Sequence, residues 1–248
     1  MSSDKLIRQA VLLAGGTGTR LKPYTTVFPK PLLPVGKYPI LEIVIRQLSH
    51  FGFDRITLAV GYLAELILAY FGRGERFGVT LNYSREEQPL GTAGPLGLLR
   101  DDLDSPFLVM NGDIMTDLDF DALMRFHQQS EAAATIVVTR RSVKIDFGVI
   151  HLDDNDHVKS WSEKPEMHYH VSAGIYVFDP EVLDYLPRGE PFDLPDLIMH
   201  LVEKKVRIKT RIHDGYWLDI GRSDDYERAV RDFEKDEGRW LGGESNGI

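Results

Sequence analysis

Cysteine is absent from the 248 residues, so disulfides, thiolate metal centres and cysteine nucleophiles are excluded. No apolar run reaches the ~18 residues of a membrane span. The opening MSSDKLIRQAVLLAGG meets glycine too early for a signal peptide. The expected compartment is the cytoplasm, with no membrane partner. Positive charge is also scarce. Lys and Arg number 29 against 38 Asp and Glu, a net charge of -9, which argues against nucleic acid as the main partner. An acidic chain can still gather cations locally, so phosphate ligands stay open. Linkers rich in Gly, Ser or Pro, repeats and low-complexity tracts are missing too. With 43% hydrophobic residues, one domain with a sizeable core is expected over 1–240, followed by a frayed tail over 241–248.

Short apolar runs alternate with amphipathic stretches in the first half. Val11 to Ala14, Ile56 to Val60 and Phe107 to Met110 read as buried strands. Helical spacing covers Pro39 to Phe51, Leu63 to Phe71 and about Asp119 to Gln129. That order predicts an α/β fold with a mostly parallel sheet covered on both faces. From about residue 133 the runs ATIVVTR, FGVIHL, HVKSWS and YHVSAGIYVF predict strands joined by short turns, with antiparallel pairing. Helical spacing returns at Asp193 to Glu203 and at Ser223 to Glu237.

The segment LLAGGTGTRLKP, Leu12 to Pro23, poses the chemical question. The dinucleotide fingerprint fails, because Leu21 stands where its third glycine belongs, and no Gly-Lys-Ser/Thr closes a Walker A loop. What remains is a strand running into glycines. There the backbone N–H groups of Gly15 and Gly16 can approach an anion closely, at the sheet edge where α/β proteins bind ligands. A plain turn is the alternative. In VFPKPLLPV, Lys30 lies between Pro29 and Pro31 in a stiffened loop, a candidate for holding phosphate oxygens. It follows Arg20 by ten residues, a stretch that spans up to ~36 Å extended. The two cations therefore converge only if the loop folds back.

Asp113 follows a buried strand in Asn111-Gly112-Asp113, and Asp219 lies in Tyr216-Trp217-Leu218-Asp219-Ile220-Gly221. Hard carboxylate ligands of this kind suit Mg²⁺ with substrate phosphates. Capping a turn and the helix near Ser223 are the alternatives. In SWSEKPE, Lys164 can bind a second phosphate and Glu163 can accept from sugar hydroxyls; an inert exposed pair is the other reading. His168 and His170 have metal-like spacing, but alternate residues of a strand give the same pattern. No Ser-His-Asp arrangement is recognisable.

LAGGTGTRLKPYTTVFPKPLLPVGKYPILE closely resembles the signature of the sugar-1-phosphate nucleotidylyltransferases. The resemblance continues in order through EEQPLGTAGPLGLLR, NGD, FGVI, EKP, SAGIYVF and YWLDIGR, covering roughly residues 8 to 231. It implies a three-layer α/β/α sandwich around a mixed, mainly parallel sheet. A nucleotide-binding part would occupy about 1–132 and a β-rich sugar-phosphate-binding part about 133–221. The implied partners are a nucleoside triphosphate and a sugar 1-phosphate, with Mg²⁺ as cofactor. By the same resemblance Leu13, Ala14, Gly15 and Gly16 lie along the nucleoside, with Gln88, Gly91 and Thr92 near the base. Arg20, Lys30, Asp113 and Lys164 form the catalytic set, and Asp113 and Asp219 bind the metal. Gly148, Glu163, Lys164 and Ser172 contact the sugar phosphate.

PLGTAGPL, Pro89 to Leu96, is similar to the guanylyl-transferring branch, so GTP is favoured over dTTP, UTP and CTP. The longer GDP-mannose enzymes add a hexapeptide-repeat β-helix that these residues do not contain. A nucleotide-sugar-binding regulatory subunit is the rival of another class. A homodimer through Ser223 to Glu237 stands beside the alternative of a solvated charged face.

Overall fold

The protein is described from a computed structural model covering residues 8–86 and 88–241. The tail over 242–248, and the glutamate at 87 in the EEQ motif, lie outside the described residues. Strands β1 (Arg8–Leu13), β2 (Phe53–Val60), β3 (Thr80–Arg85), β4 (Phe107–Asn111), β5 (Ala134–Lys144), β6 (Glu166–Phe178) and β7 (Ile208–Ile212) form one seven-stranded sheet. Their order across it is β7–β5–β6–β4–β1–β2–β3. Every strand runs in one direction except β6, which is antiparallel to both β4 and β5.

Both faces of the sheet are covered, which is why its central strands read as continuous apolar runs. In β1, Ala10 and Leu12 point to one side and Val11 to the other, and all three are buried. Helices α1 (Ile40–His50), α2 (Ala64–Phe71) and α3 (Phe120–Ser130) pack on the first side through Leu41, Val44, Ile67, Phe71 and Leu123. Helix α4 (Leu194–Glu203) covers the second side with Leu194, Leu197 and Leu201. The result is three layers, α/β/α.

A third apolar cluster does the work of placing the site. Helix α5 (Ser223–Lys235) buries Ala229 and Phe233 against Leu21, Leu33, Val35, Leu218 and Ile220. Helix α5 thereby clamps the loop that carries Lys30 to the strand that carries Asp219.

The four strand runs of the second half pair antiparallel as expected, and one further strand, β7, was not anticipated. β5 and β6 do pair antiparallel from Lys144↔Glu166 to Ala134↔Phe178, but β7 joins β5 in parallel. Its sequence IKTRI places three polar residues between two isoleucines at a largely exposed edge, so no buried run announces it. β3, TLNYSR, lies at the other edge and lacks a buried run for the same reason. Beyond the sheet, Val149–Leu152 pairs antiparallel with Val158–Ser162 as a separate ribbon. The helix expected to reach Glu237 stops at Lys235: Asp236 leaves helical geometry and its carboxylate accepts from the Arg239 N–H, starting a short helix over Glu237–Trp240.

Candidate active site

The C-terminal ends of β1, β2, β3 and β4 share one edge of the sheet, and a cleft of about 920 Å³ opens there. The glycine loop forms its floor. Ala14 N–H donates to Ala59 O at 2.8 Å and Gly112 N–H to Leu13 O at 2.9 Å, tying the loop to both neighbouring strand ends. A Cβ on Gly15 would sit 2.7 Å from Glu86 Oε1 and 3.4 Å from Gly61 N. The close contact is with the movable end of the Glu86 side chain, while the Gly61 backbone lies at ordinary contact distance. The long loop does fold back. Gly18 adopts φ +62°, the Thr25 hydroxyl donates to Gly18 O at 2.8 Å, and short turns at Thr19–Leu21, Tyr24–Thr26 and Lys30–Leu32 compact the chain around buried Leu21.

That folding returns Lys30 to the cleft, where its ammonium is ion-paired with Asp113. Ile220 N–H donates to Asp113 O at 3.1 Å, and Trp217–Asp219 pairs antiparallel with Ile114–Thr116. The two aspartates, distant in sequence, thus come together, Asp219 at the end of one strand and Asp113 just before its pairing partner. Arg20 completes the group: a Cβ placed on Gly221 would lie 3.5 Å from both Arg20 Nη1 and Asp219 Oδ1. Burial pushes the Asp219 carboxyl above the ordinary carboxylate range, and the Asp113 charge adds to this while Lys30 and Arg20 oppose it. Asp219 does not cap α5; Arg222 occupies that position without a side-chain cap bond.

The donor set fits a hard divalent cation. Asp113 Oδ1 is buried and lacks a hydrogen-bond partner among the described residues, and a second carboxylate is held beside it under mutual repulsion. Two carboxylates with room for phosphate oxygens and water match what Mg²⁺ accepts.

Gln88, Gly91 and Thr92 line the cleft's far wall. Gly91 has φ +75°, and a Cβ there would meet Phe192 O and Asp193 Oδ1 at 2.7 Å. The Thr92 hydroxyl donates to Asp193 Oδ1 at 3.0 Å and accepts from Leu194 N–H at 2.8 Å. It therefore secures the start of α4.

The sugar-phosphate candidates are arranged differently. Gly148, Glu163 and Lys164 are not among the residues lining the cleft. Gly148 and Glu163 flank the ribbon and meet there: a Gly148 Cβ would lie 3.1 Å from Glu163 Oε2. Lys164 is exposed with φ +45°. Ser172 sits where the β5–β6 register slips, its hydroxyl 2.9 Å from Tyr176 Oη and 3.2 Å from the Gly174 N–H it accepts. A Cβ on Gly174 would lie 2.6 Å from the Asn111 amide nitrogen. Because Asn111 lines the cleft, Gly174 comes close to it, while Ser172 is not among the lining residues. His168 and His170 pair with Ser142 and Arg140 along β5, and His168 Nδ1 lies 2.8 Å from Ser142 Oγ.

Residues 9–236 match the family described as Nucleotidyl transferase. The chain belongs to that family. It is 36% identical over 242 residues to UTP–glucose-1-phosphate uridylyltransferase of Synechocystis sp., covering 90% of this chain and 62% of that protein. It is also 36% identical over 226 residues to mannose-1-phosphate guanyltransferase of Candida albicans, covering 88% of this chain and 62% of that one. The chain spans about three-fifths of the length of these curated relatives. The structure of HddC from Yersinia pseudotuberculosis complexed with GMP-PN superposes with a TM-score of 0.71 at 26% identity, covering 92% of this chain and 100% of that one.

In this nucleotidyl transferase, sequence reasoning did not single out several cleft residues, among them Tyr62, Glu86 and Asn111. Glu86 directly follows β3 and accepts the Leu90 N–H at 2.8 Å through Oε2; burial raises its pKa despite that bond. The available signal was positional. Each follows or ends a parallel strand, as Asp113 does, but β3 carries no buried run to mark its end.

Proposed function

We propose that the chain transfers a nucleotidyl group from a nucleoside triphosphate to a sugar 1-phosphate. An oxygen of the sugar phosphate attacks the α-phosphorus in line, the bond to the β-phosphate oxygen breaks, and pyrophosphate leaves. The observation that carries this reading is the convergence of Lys30, Asp113, Asp219 and Arg20 beside the glycine floor of the cleft. The attacking oxygen is already anionic, so no general base has to create it. The difficulty is bringing two polyanions together in alignment, and positioned cations serve that purpose. Lys30 and Arg20 hold the triphosphate and offset charge on the departing pyrophosphate. Asp113 and Asp219 would hold Mg²⁺, which as a Lewis acid neutralises phosphate charge when bound. Gly148, Glu163, Lys164 and Ser172 take the sugar phosphate.

GTP is the favoured donor. Guanine alone among the usual bases offers adjacent N1–H and N2–H donors, and the Glu86 carboxylate at the cleft is an acceptor for them. The GMP-PN held by HddC and the guanylyl-transferring Candida relative support the same choice. We read the enzyme as cytoplasmic; among the described residues no helix is long and apolar enough to cross a membrane. The outer face of α5 carries the ion pairs Arg228–Asp232 and Arg231–Glu227, which favours a solvated face over a dimer contact.

The test is pyrophosphate release from GTP, UTP, dTTP and CTP with mannose, glucose and galactose 1-phosphates, with and without Mg²⁺. Release requiring both substrates and the metal is expected, fastest with GTP. Tight nucleotide-sugar binding without any turnover would replace the enzyme by a regulatory subunit.

A further inference from the structure

The ribbon beyond the sheet holds an aromatic side chain in an unusual setting. Trp161 is 61% exposed, although burying an indole is normally favourable. It lies near the end of the strand Val158–Ser162, and Glu163 follows that strand directly. The indole N–H donates to Glu163 Oε2 at 3.2 Å. Beneath the ring lies Gly148, where a Cβ would approach the indole to 2.4 Å. The bare backbone of Gly148 thus makes room for the ring, and the ring fixes the carboxylate.

We propose that Trp161 is a positioning residue for sugar selection: it orients Glu163 toward the sugar hydroxyls and presents its open ring face to the apolar face of a pyranose 1-phosphate. This rests on the proposed function, in which Glu163 meets the sugar. A carboxylate on a flexible exposed side chain samples several rotamers. A hydrogen bond from a stiff two-torsion side chain reduces that freedom before the substrate arrives. An indole also suits a sugar because it combines a polar N–H edge with an apolar face. Trp161 therefore acts on binding of the sugar phosphate and leaves the triphosphate half of the cleft untouched.

The experiment measures pyrophosphate release with GTP and the best of the three sugar 1-phosphates, varying each substrate in turn. Trp161→Phe keeps a ring and removes the donor; Trp161→Ala removes both. Trp161→Phe is expected to raise KM for the sugar phosphate about tenfold, in keeping with loss of a hydrogen bond to a charged group. Trp161→Ala should raise it further. Gly148→Ala, which forces the ring aside, should resemble Trp161→Ala. KM for GTP and the melting temperature should stay at wild-type values in both Trp161 variants. Wild-type sugar-phosphate KM in both would overturn the proposal while leaving the proposed reaction intact. A parallel rise in both KM values would assign Trp161 a merely structural role. Failure of the unaltered protein to release pyrophosphate from any substrate pair would remove both readings together.

Discussion

Lys30 and Asp113 lie 83 residues apart in the chain and form an ion pair at the cleft. The lysine side chain is 12% exposed and the aspartate 22%, so the pair is largely shielded from water. Its cation also faces the space that a triphosphate would fill. Lys30→Met should therefore have two effects. Turnover should fall about 10²–10³-fold, as when one charge-stabilising contact is removed. The metal-free protein should also melt at a lower temperature, because Asp113 is left beside Asp219 without its cation. Steady-state pyrophosphate release and thermal melting measure the two; near wild-type turnover would remove Lys30 from the catalytic set.

Asp219 leads to an opposite pairing of stability and activity. Burial and the Asp113 charge both disfavour its ionised form in the absence of metal. Asp219→Asn should accordingly melt at or above the wild-type temperature in EDTA, yet lose the gain in melting temperature that Mg²⁺ gives the wild type. Activity should be abolished by EDTA in the wild type and restored by Mg²⁺. In the variant it should remain at least about 10²-fold low even at high Mg²⁺, comparable to loss of one electrostatic contact. A variant as active as the wild type would exclude this carboxylate as a ligand.

The parts of this arrangement that could be read in advance share one physical property. Buried strands such as Phe107 to Met110 form unbroken apolar runs because both sheet faces are covered. Once such strands are recognised, the residues just beyond them, Gly15 and Asp113, fall at the ligand edge. Lys30 stood out through its flanking prolines. Glu86 did not, since it follows an edge strand whose solvent-facing residues interrupt the run. The approach of Arg20 to Asp219 was also hidden. It depends on α5 packing Phe233 beneath the loop, a contact between the two ends of the chain. Trp161 was passed over because its significance lies in Gly148, across the ribbon.

Glu86 links base choice to pH. Glu86→Gln replaces a carboxylate acceptor with an amide, and should reduce kcat/KM for GTP by about tenfold or more, as for a lost charge-assisted hydrogen bond. ITP lacks the N2 amino group, so the wild type should prefer GTP to ITP and the variant should lose that preference. Stability supplies an independent check. Burial raises the folded pKa of Glu86, so the unfolded chain ionises first as pH rises and the wild type loses stability across that interval. Below the ordinary carboxylate range both states are protonated and the penalty vanishes. The variant should thus be the more stable protein at neutral pH, with the margin closing in acid. Urea titrations at a series of pH values would contradict this if the margin grew as pH fell.

Gly91 and Thr92 join the far wall of the cleft to the start of α4, which makes their substitution a test of architecture. Gly91→Ala would force a side chain into left-handed geometry, costing about 1–2 kcal/mol. It would also drive a Cβ toward the Phe192 carbonyl, 2.7 Å away, and a backbone oxygen cannot rotate aside. Thr92→Val keeps the shape but removes the oxygen that accepts the Leu194 N–H, leaving a helix-terminal donor unsatisfied at a cost of about 1 kcal/mol. Both variants should unfold at lower urea, Gly91→Ala the lower of the two. The activity readout separates them. Gly91→Ala moves the wall facing the nucleotide and should raise KM for GTP, whereas the Thr92 hydroxyl is already committed to Asp193 and Leu194. Thr92→Val should therefore bind GTP almost as the wild type does. A large rise in its KM at unchanged stability would mean that the hydroxyl turns to meet the base.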